Sequence, residues 1–150
     1  MDDTDVDLRI AVDMLVRCPP HDAYEAFADP EQIRRFWLAS SSHRLVTGGR
    51  SRWRFKIAGA ETDVAVVEAR PDELLDLRWD EGQPVRLVFT PHLQGAIVGV
   101  EVTNFSDAPT AIETMSGFTL VLASLKLWIE HGIEGELQYD RFPDAEYADR

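Results

Sequence analysis

The side chains able to do chemistry are few in this chain and widely spaced. Four histidines stand at His21, His43, His92 and His131. No two are separated by the short interval that puts paired imidazoles on one metal. Three of them sit beside expected turns or helix ends, where surface and capping roles are the plainer reading, so no metal and no other cofactor is expected. The single cysteine, Cys18, precedes Pro19-Pro20 and reads as a small buried apolar residue before it reads as a reactive thiol. Asp72-Glu73 and Asp80-Glu81 are adjacent acids at turns. Adjacent side chains need not converge, so they do not make a general acid and base. Gly48-Gly49 lacks the spacing and the following helix of a phosphate loop, and no Gly-x-Ser-x-Gly elbow occurs. The most unusual charge feature is the cation cluster Arg44, Arg50, Arg52, Arg54 and Lys56. It reads as a solvated sheet face, or more sharply as a site for an anion or an acidic partner. Asn104, Thr119 and Tyr24, near element ends, are the remaining polar candidates. No catalytic residue is assigned.

The elements that must position these groups are legible in the apolar spacing. Leu8, Ile10, Val12, Met14 and Val16 alternate with polar neighbours, a period of two that marks a strand with one buried face. Pro19-Pro20 ends it. His21–Ala28 is expected to form a short helix burying Ala23, Tyr24, Ala26 and Phe27. A second follows at once: Asp29 is a good N-cap, Pro30 suits the first helical position, and Gln32 can complete a capping box. It is expected to run to Phe36-Trp37 or slightly beyond.

The middle of the chain is all strand. Arg44–Val46 is a short candidate, and Gly48-Gly49 makes a turn. Trp53, Phe55 and Ile57 then point one way while Arg52, Arg54 and Lys56 point the other. Thr62–Ala69 is a strand closed by Arg70-Pro71-Asp72. Leu75, Leu77 and Trp79 alternate up to the hairpin loop Asp80-Glu81-Gly82, and Val85, Leu87 and Phe89 alternate after it. Pro91–Gly95 is expected as a loop before a last strand with Val98, Val100 and Val102 inward. Short turns between successive strands imply an antiparallel meander.

The last element is the longest. A helix is expected over Thr110–His131, opened by the capping box Thr110-Ala111-Ile112-Glu113 after Pro109. Met115, Phe118, Leu122, Leu125 and Ile129 form its stripe, which Val121 and Trp128 widen. Gly132 stops it, and His131 faces the negative end of the helix dipole. A long apolar-faced helix added after a finished sheet must bury that face on the sheet.

The chain has 150 residues, which fits one domain with a sizeable core. Of its net charge of -12, eight units lie in residues 1–7 and 134–150. Residues 1–7 are read as an acidic extension, 8–132 as the domain and 133–150 as an acidic tail. An acidic chain lacks the electrostatic footprint of a nucleic-acid binder, and anionic membrane surfaces are disfavoured for the same reason. No apolar run approaches the roughly 18 residues of a membrane span. An acidic N-terminus and one cysteine point to the cytoplasm.

Strand, two short helices, six more strands and a long helix is the helix-grip order. The chain resembles the START/polyketide-cyclase (SRPBCC) superfamily. Within it, the chain is most similar to bacterial single-domain proteins related to the C-terminal domain of the activator of the heat-shock protein 90 ATPase. The resemblance rests on Arg17-Cys18-Pro19-Pro20 with Ala23, Ala26 and Phe27, on Asp29-Pro30-Glu31 and Phe36-Trp37, and on Gly48-Gly49 with Trp53. Leu75–Trp79 and Gly117-Phe118 to Leu125-Lys126 complete it. It covers roughly residues 8–132. It implies an α+β, helix-grip (START/birch-pollen-allergen-like) fold. In that fold a curved antiparallel sheet of six to seven strands, with two short helices, grips the C-terminal helix around an apolar cavity.

Alternation selects Trp53, Phe55, Leu77, Trp79, Leu87, Phe89, Val98 and Val100 as the sheet's share of that cavity. Met115, Phe118, Leu122 and Leu125 come from the helix, and Phe36 and Trp37 close one end. Packed core is the plainer reading of any one of them. The expected function is binding of a small hydrophobic molecule, with Leu122→Trp expected to fill the pocket. A co-chaperone-like interaction module, with a chaperone as protein partner and a role in stress response, is a second expectation from the resemblance. A cyclase- or hydrolase-type enzyme is a third, lowered by inner positions that are almost wholly apolar. The assembly is expected to be a monomer or a homodimer.

Overall fold

The computed structural model describes residues 8–147; the expected extension 1–7 lies outside the described residues. Strand β1 (Leu8–Val16) buries Ile10 and Val16 and leads into helix α1 (Pro20–Ala28). Pro20 opens α1 with its fixed φ and missing N–H, both suited to a first turn. The helix buries Ala23, Tyr24, Ala26, Phe27 and Ala28. Helix α2 (Pro30–Ile33) is capped as expected, the Asp29 carboxylate accepting the Glu31 N–H at 2.9 Å. It stops well short of Trp37, and the Trp37 and Leu38 N–H groups both donate to the Ile33 carbonyl. Phe36, Trp37 and Leu38 are all buried. One helical face cannot bury three consecutive residues, and a looser turn can.

The second strand is not Arg44–Val46. It is β2 (Ser40–Ser41), paired with β3 (Arg50–Arg54) through Ser40 to Arg54 and Ser41 to Trp53. Two serines carry little strand propensity. They are placed by a buried hydroxyl pair, Ser41 Oγ to Ser51 Oγ at 2.8 Å. Leu45 is buried and its N–H donates to the Ala28 carbonyl.

The meander continues through β4 (Glu61–Arg70), β5 (Leu74–Trp79), β6 (Gln83–His92) and β7 (Gly95–Phe105). Seven antiparallel strands form one open sheet in the order β1-β7-β6-β5-β4-β3-β2. The first and last strands are thus neighbours. The expected Pro91–Gly95 loop shrinks to Leu93-Gln94, because Pro91 and His92 pair with Ala96 and Gly95. Gly95 is required there: a Cβ would lie 2.3 Å from the Val16 carbonyl oxygen.

Helix α3 (Ala108–His131) starts two residues before its expected position. Its cap is Asp107, whose Oδ1 accepts the Thr110 N–H at 2.8 Å. Glu113, expected to complete a capping box, pairs with Arg141 instead. Gly132 ends the helix in the left-handed region at φ 66°, with His131 in the last turn. By length and composition α3 is apolar enough to cross a membrane, contrary to the expectation from unbroken runs. Part of that apolarity serves the core: Phe118, Val121, Leu122 and Leu125 are buried in one cluster with the inner residues of the sheet, while Ile112 and Met115 are exposed. The result is the helix-grip α+β architecture.

Candidate binding cavity

An apolar cavity of about 310 Å³ opens between the N-terminal half of α3, the ends of β3 and β5, the turn after α2 and the C-terminal segment. Trp37 forms its inner end. Phe55 and Ile57 follow β3, and Trp79 ends β5. Thr114, Gly117, Phe118 and Val121 are the α3 wall. Gln138, Tyr139 and Phe142 close it from the C-terminal side, with Glu113 and Arg141 at the rim. The rings hold one another: Trp79 stacks on Phe118 at 5.6 Å, and Trp37 meets Phe118 edge-on at 5.6 Å and Phe55 at 6.1 Å. Larger clefts of about 690 and 640 Å³ lie elsewhere. They are bounded by charged turn residues such as Arg70, Asp72 and Glu73, or Asp80 and Glu81, and lack this aromatic wall.

Gly117 makes part of the space. A Cβ built on it meets no atom within 4 Å, so the helix faces the hollow with bare backbone. An interior helical glycine costs about 1 kcal/mol relative to alanine.

The segment 133–147, set apart from the domain by composition, packs on it. The Tyr139 hydroxyl accepts the Lys56 N–H at 3.3 Å and donates to the Trp37 carbonyl at 2.5 Å. The Gln138 amide accepts from Ser124 Oγ and donates to the Phe36 carbonyl, both within the core. Ile57 bridges Tyr147, and the Ala58 N–H donates to the Glu146 carbonyl. Burial pushes the Tyr139 phenol up to about 12. These bonds lay the strap along one wall of the hollow, whose mouth stays open to solvent.

Four of the fourteen positions chosen from alternation, Trp37, Phe55, Trp79 and Phe118, lie in the cavity wall. Phe36, Trp53, Leu77, Leu87, Phe89, Val98, Val100, Leu122 and Leu125 lie in the packed core beneath it. Leu122→Trp would overfill that core, so Gly117 is the position that controls the space. Met115 is 37% exposed and outside the wall. Two residues from Gly117, it projects about 200° away around the helix. Sequence reasoning passed over Ile57, Thr114, Gly117 and Val121 as wall residues, and offered Tyr139 and Phe142 only as side chains that could pin part of the C-terminal segment. The available signals were a glycine inside an amphipathic helix and aromatic residues within an acidic tail.

Several of the other chemical candidates have structural partners. Among the expected cations, Arg44 pairs with Glu25, Arg52 with Glu61 and Asp63, and Lys56 with Glu136. The charge of these three is neutralised locally, which weakens the case for an anion site. Asn104 and Thr119 are exposed, Thr119 donating to the Met115 carbonyl. Tyr24 is buried edge-on against Phe89. Burial raises the Cys18 thiol to about 11, so it stays protonated at neutral pH.

His21 Nδ1 lies 2.8 Å from Asp72 Oδ1, and that hydrogen bond raises the imidazole above 6.5. The folded state holds this proton more tightly than the unfolded chain does. The contribution of the pair is therefore complete below pH 6.5 and vanishes as pH rises past the raised value. An NMR titration of His21 should show the raised midpoint, and Asp72→Asn should return it to the ordinary one.

The family model described as activator of Hsp90 ATPase homolog 1-like protein matches residues 17–130. No curated protein matches the chain. A Staphylococcus saprophyticus protein is 27% identical, with a TM-score of 0.80 over 86% of this chain and 96% of its own. The Aha1 dimer from Colwellia psychrerythraea is 17% identical, with a TM-score of 0.76 over 83% of this chain and 98% of its own. CalU16 from Micromonospora echinospora is 19% identical, with a TM-score of 0.71 over 90% and 81%. With three quarters of its length matched by one family model and the same helix-grip architecture as these structures, the chain belongs to the family of activator of Hsp90 ATPase homolog 1-like proteins.

Proposed function

We propose that this protein binds a compact apolar molecule in the cavity between α3, the sheet and the C-terminal strap. The observation that carries the reading is the aromatic-walled space of about 310 Å³ beside Gly117. At about 30 Å³ per water it equals roughly ten waters. That suits a molecule of one or two fused rings better than an extended lipid chain. Burial of its apolar surface, at about 25 cal/mol per Å², supplies the affinity.

The enzyme reading has less support. Glu113, Tyr139 and Arg141 are the ionisable groups of the wall. Glu113 and Arg141 are paired with each other, and Tyr139 is a poor acid at neutral pH. Chaperone stimulation does not follow from family membership alone. For assembly, the dimeric relative supports a homodimer, which a light-scattering mass would decide.

The direct test is fluorescence titration with the neutral probe N-phenylnaphthylamine, together with native mass spectrometry of freshly purified protein. Saturable one-to-one uptake by the folded protein is expected. Absence of both uptake and co-purifying mass would defeat the reading.

A further inference from the structure

We infer that the molecule held in this cavity is uncharged and carries a hydrogen-bonding oxygen that meets the Thr114 hydroxyl; this rests on the cavity being a binding site at all. The argument is a census of the wall. Its charged groups, Glu113 and Arg141, are bound to each other, Arg141 Nη2 donating to both Glu113 oxygens at 2.8 and 2.9 Å. A ligand charge turned inward would meet no free counter-charge, and an uncompensated charge against an apolar wall is disfavoured. The Tyr139 hydroxyl already accepts one hydrogen bond and donates another. The Gln138 amide is held on both sides by Ser124 and Phe36, and the Trp79 indole N–H donates to Gln83 at 3.0 Å.

Two polar side-chain groups of the wall remain without a protein hydrogen bond among the described residues, the Thr114 hydroxyl and the Trp37 indole N–H. Thr119 turns its hydroxyl back onto the carbonyl four residues earlier, and Ser124 donates to Gln138, whereas Thr114 lines the cavity without such a partner. The indole N–H can only donate and the Thr114 hydroxyl can donate or accept, so an oxygen suits both: a phenol, ketone or ether on an otherwise apolar frame. One neutral hydrogen bond sets orientation and discrimination while the rings supply the burial.

The test compares four probes of one size against the whole protein by titration calorimetry: naphthalene, its hydroxyl derivative naphthol, its carboxylate naphthoate, and its aminomethyl cation. Naphthol is expected to bind roughly threefold to tenfold tighter than naphthalene, the contribution of one neutral hydrogen bond. Both ions are expected to bind at least tenfold more weakly than naphthalene, the cation included despite the net charge of -12. In Thr114→Val, which keeps the side-chain shape, naphthol should fall to the level of naphthalene, and naphthalene should be unchanged. Tight binding of either ion would overturn the neutral-ligand inference. A naphthol preference absent from the natural protein, or retained in Thr114→Val, would overturn the role of Thr114. If none of the four binds, the binding reading itself fails, and the inference with it.

Discussion

Gly117→Trp should fold and lose uptake of N-phenylnaphthylamine, with affinity at least tenfold below that of the natural protein. The expectation follows from where the glycine stands. A Cβ at 117 enters empty space, with no atom within 4 Å, and the space beyond it is the hollow of about 310 Å³ between Phe118, Trp79 and Phe55. An indole grown from this point occupies the volume a ligand would use and meets apolar walls. Gly117→Ala is the matched control. Its methyl group takes little of the cavity, and replacing an interior helical glycine should stabilise the fold by about 1 kcal/mol. The alanine variant should therefore melt higher and still bind. A folded tryptophan variant with undiminished uptake would place the ligand elsewhere.

Tyr139→Ala should be the most damaging single change in the C-terminal segment, with a cost of about 3–5 kcal/mol in denaturant unfolding. Tyr139 is 4% exposed, so truncation leaves an aromatic-sized void. It also strips partners from the Lys56 N–H and the Trp37 carbonyl. Tyr139→Phe separates these contributions. It keeps the ring and removes the hydroxyl, and should cost about 1–3 kcal/mol, the range for buried polar groups left unpaired. Alkaline pH tests the same contact. The phenol is raised from 10.0 to about 12 in the folded protein, so between these values the unfolded chain has lost a proton that the folded one retains. Stability must fall as pH rises across that window. The fall should be smaller in Tyr139→Phe, which has no proton to lose there. An equal slope in both proteins would remove Tyr139 from the linkage.

Much of the architecture was readable because it rests on local periodicity. Ile10, Val16, Val85, Leu87, Phe89, Val98, Val100 and Val102 alternate along their strands, and all are buried. The stripe Phe118, Leu122 and Leu125 repeats at helical spacing and is buried too. Misreadings fell where local preference is weak or overruled. Ser40–Ser41 is a strand because a neighbouring strand and Ser51 hold it there. Phe36, Trp37 and Leu38 interrupt a helix because all three must face inward. Thr110–Glu113 has the form of a capping box, yet Asp107 three residues earlier takes the cap. Either carboxylate or hydroxyl can serve an N-terminus, and packing of α3 chooses between them.

The amino-acid sequence by itself determined most of the residues that turn inward, the order of the elements and the family. Each of these depends on repeat period and on turn residues close along the chain. Only the tertiary structure decided which inward residues make solid core and which border a hollow. Leu77 and Trp79 share one face of one strand, yet Leu77 is sealed in the core while Trp79 stands in the cavity wall. The difference is what lies opposite each residue, a question of three-dimensional distance that alternation does not contain. The same holds for the strap. Gln138, Tyr139 and Tyr147 are isolated in an acidic stretch, and their partners Phe36, Trp37 and Ile57 lie about a hundred residues earlier. Contacts that distant in the chain depend on the sheet and α3 holding both ends in one place.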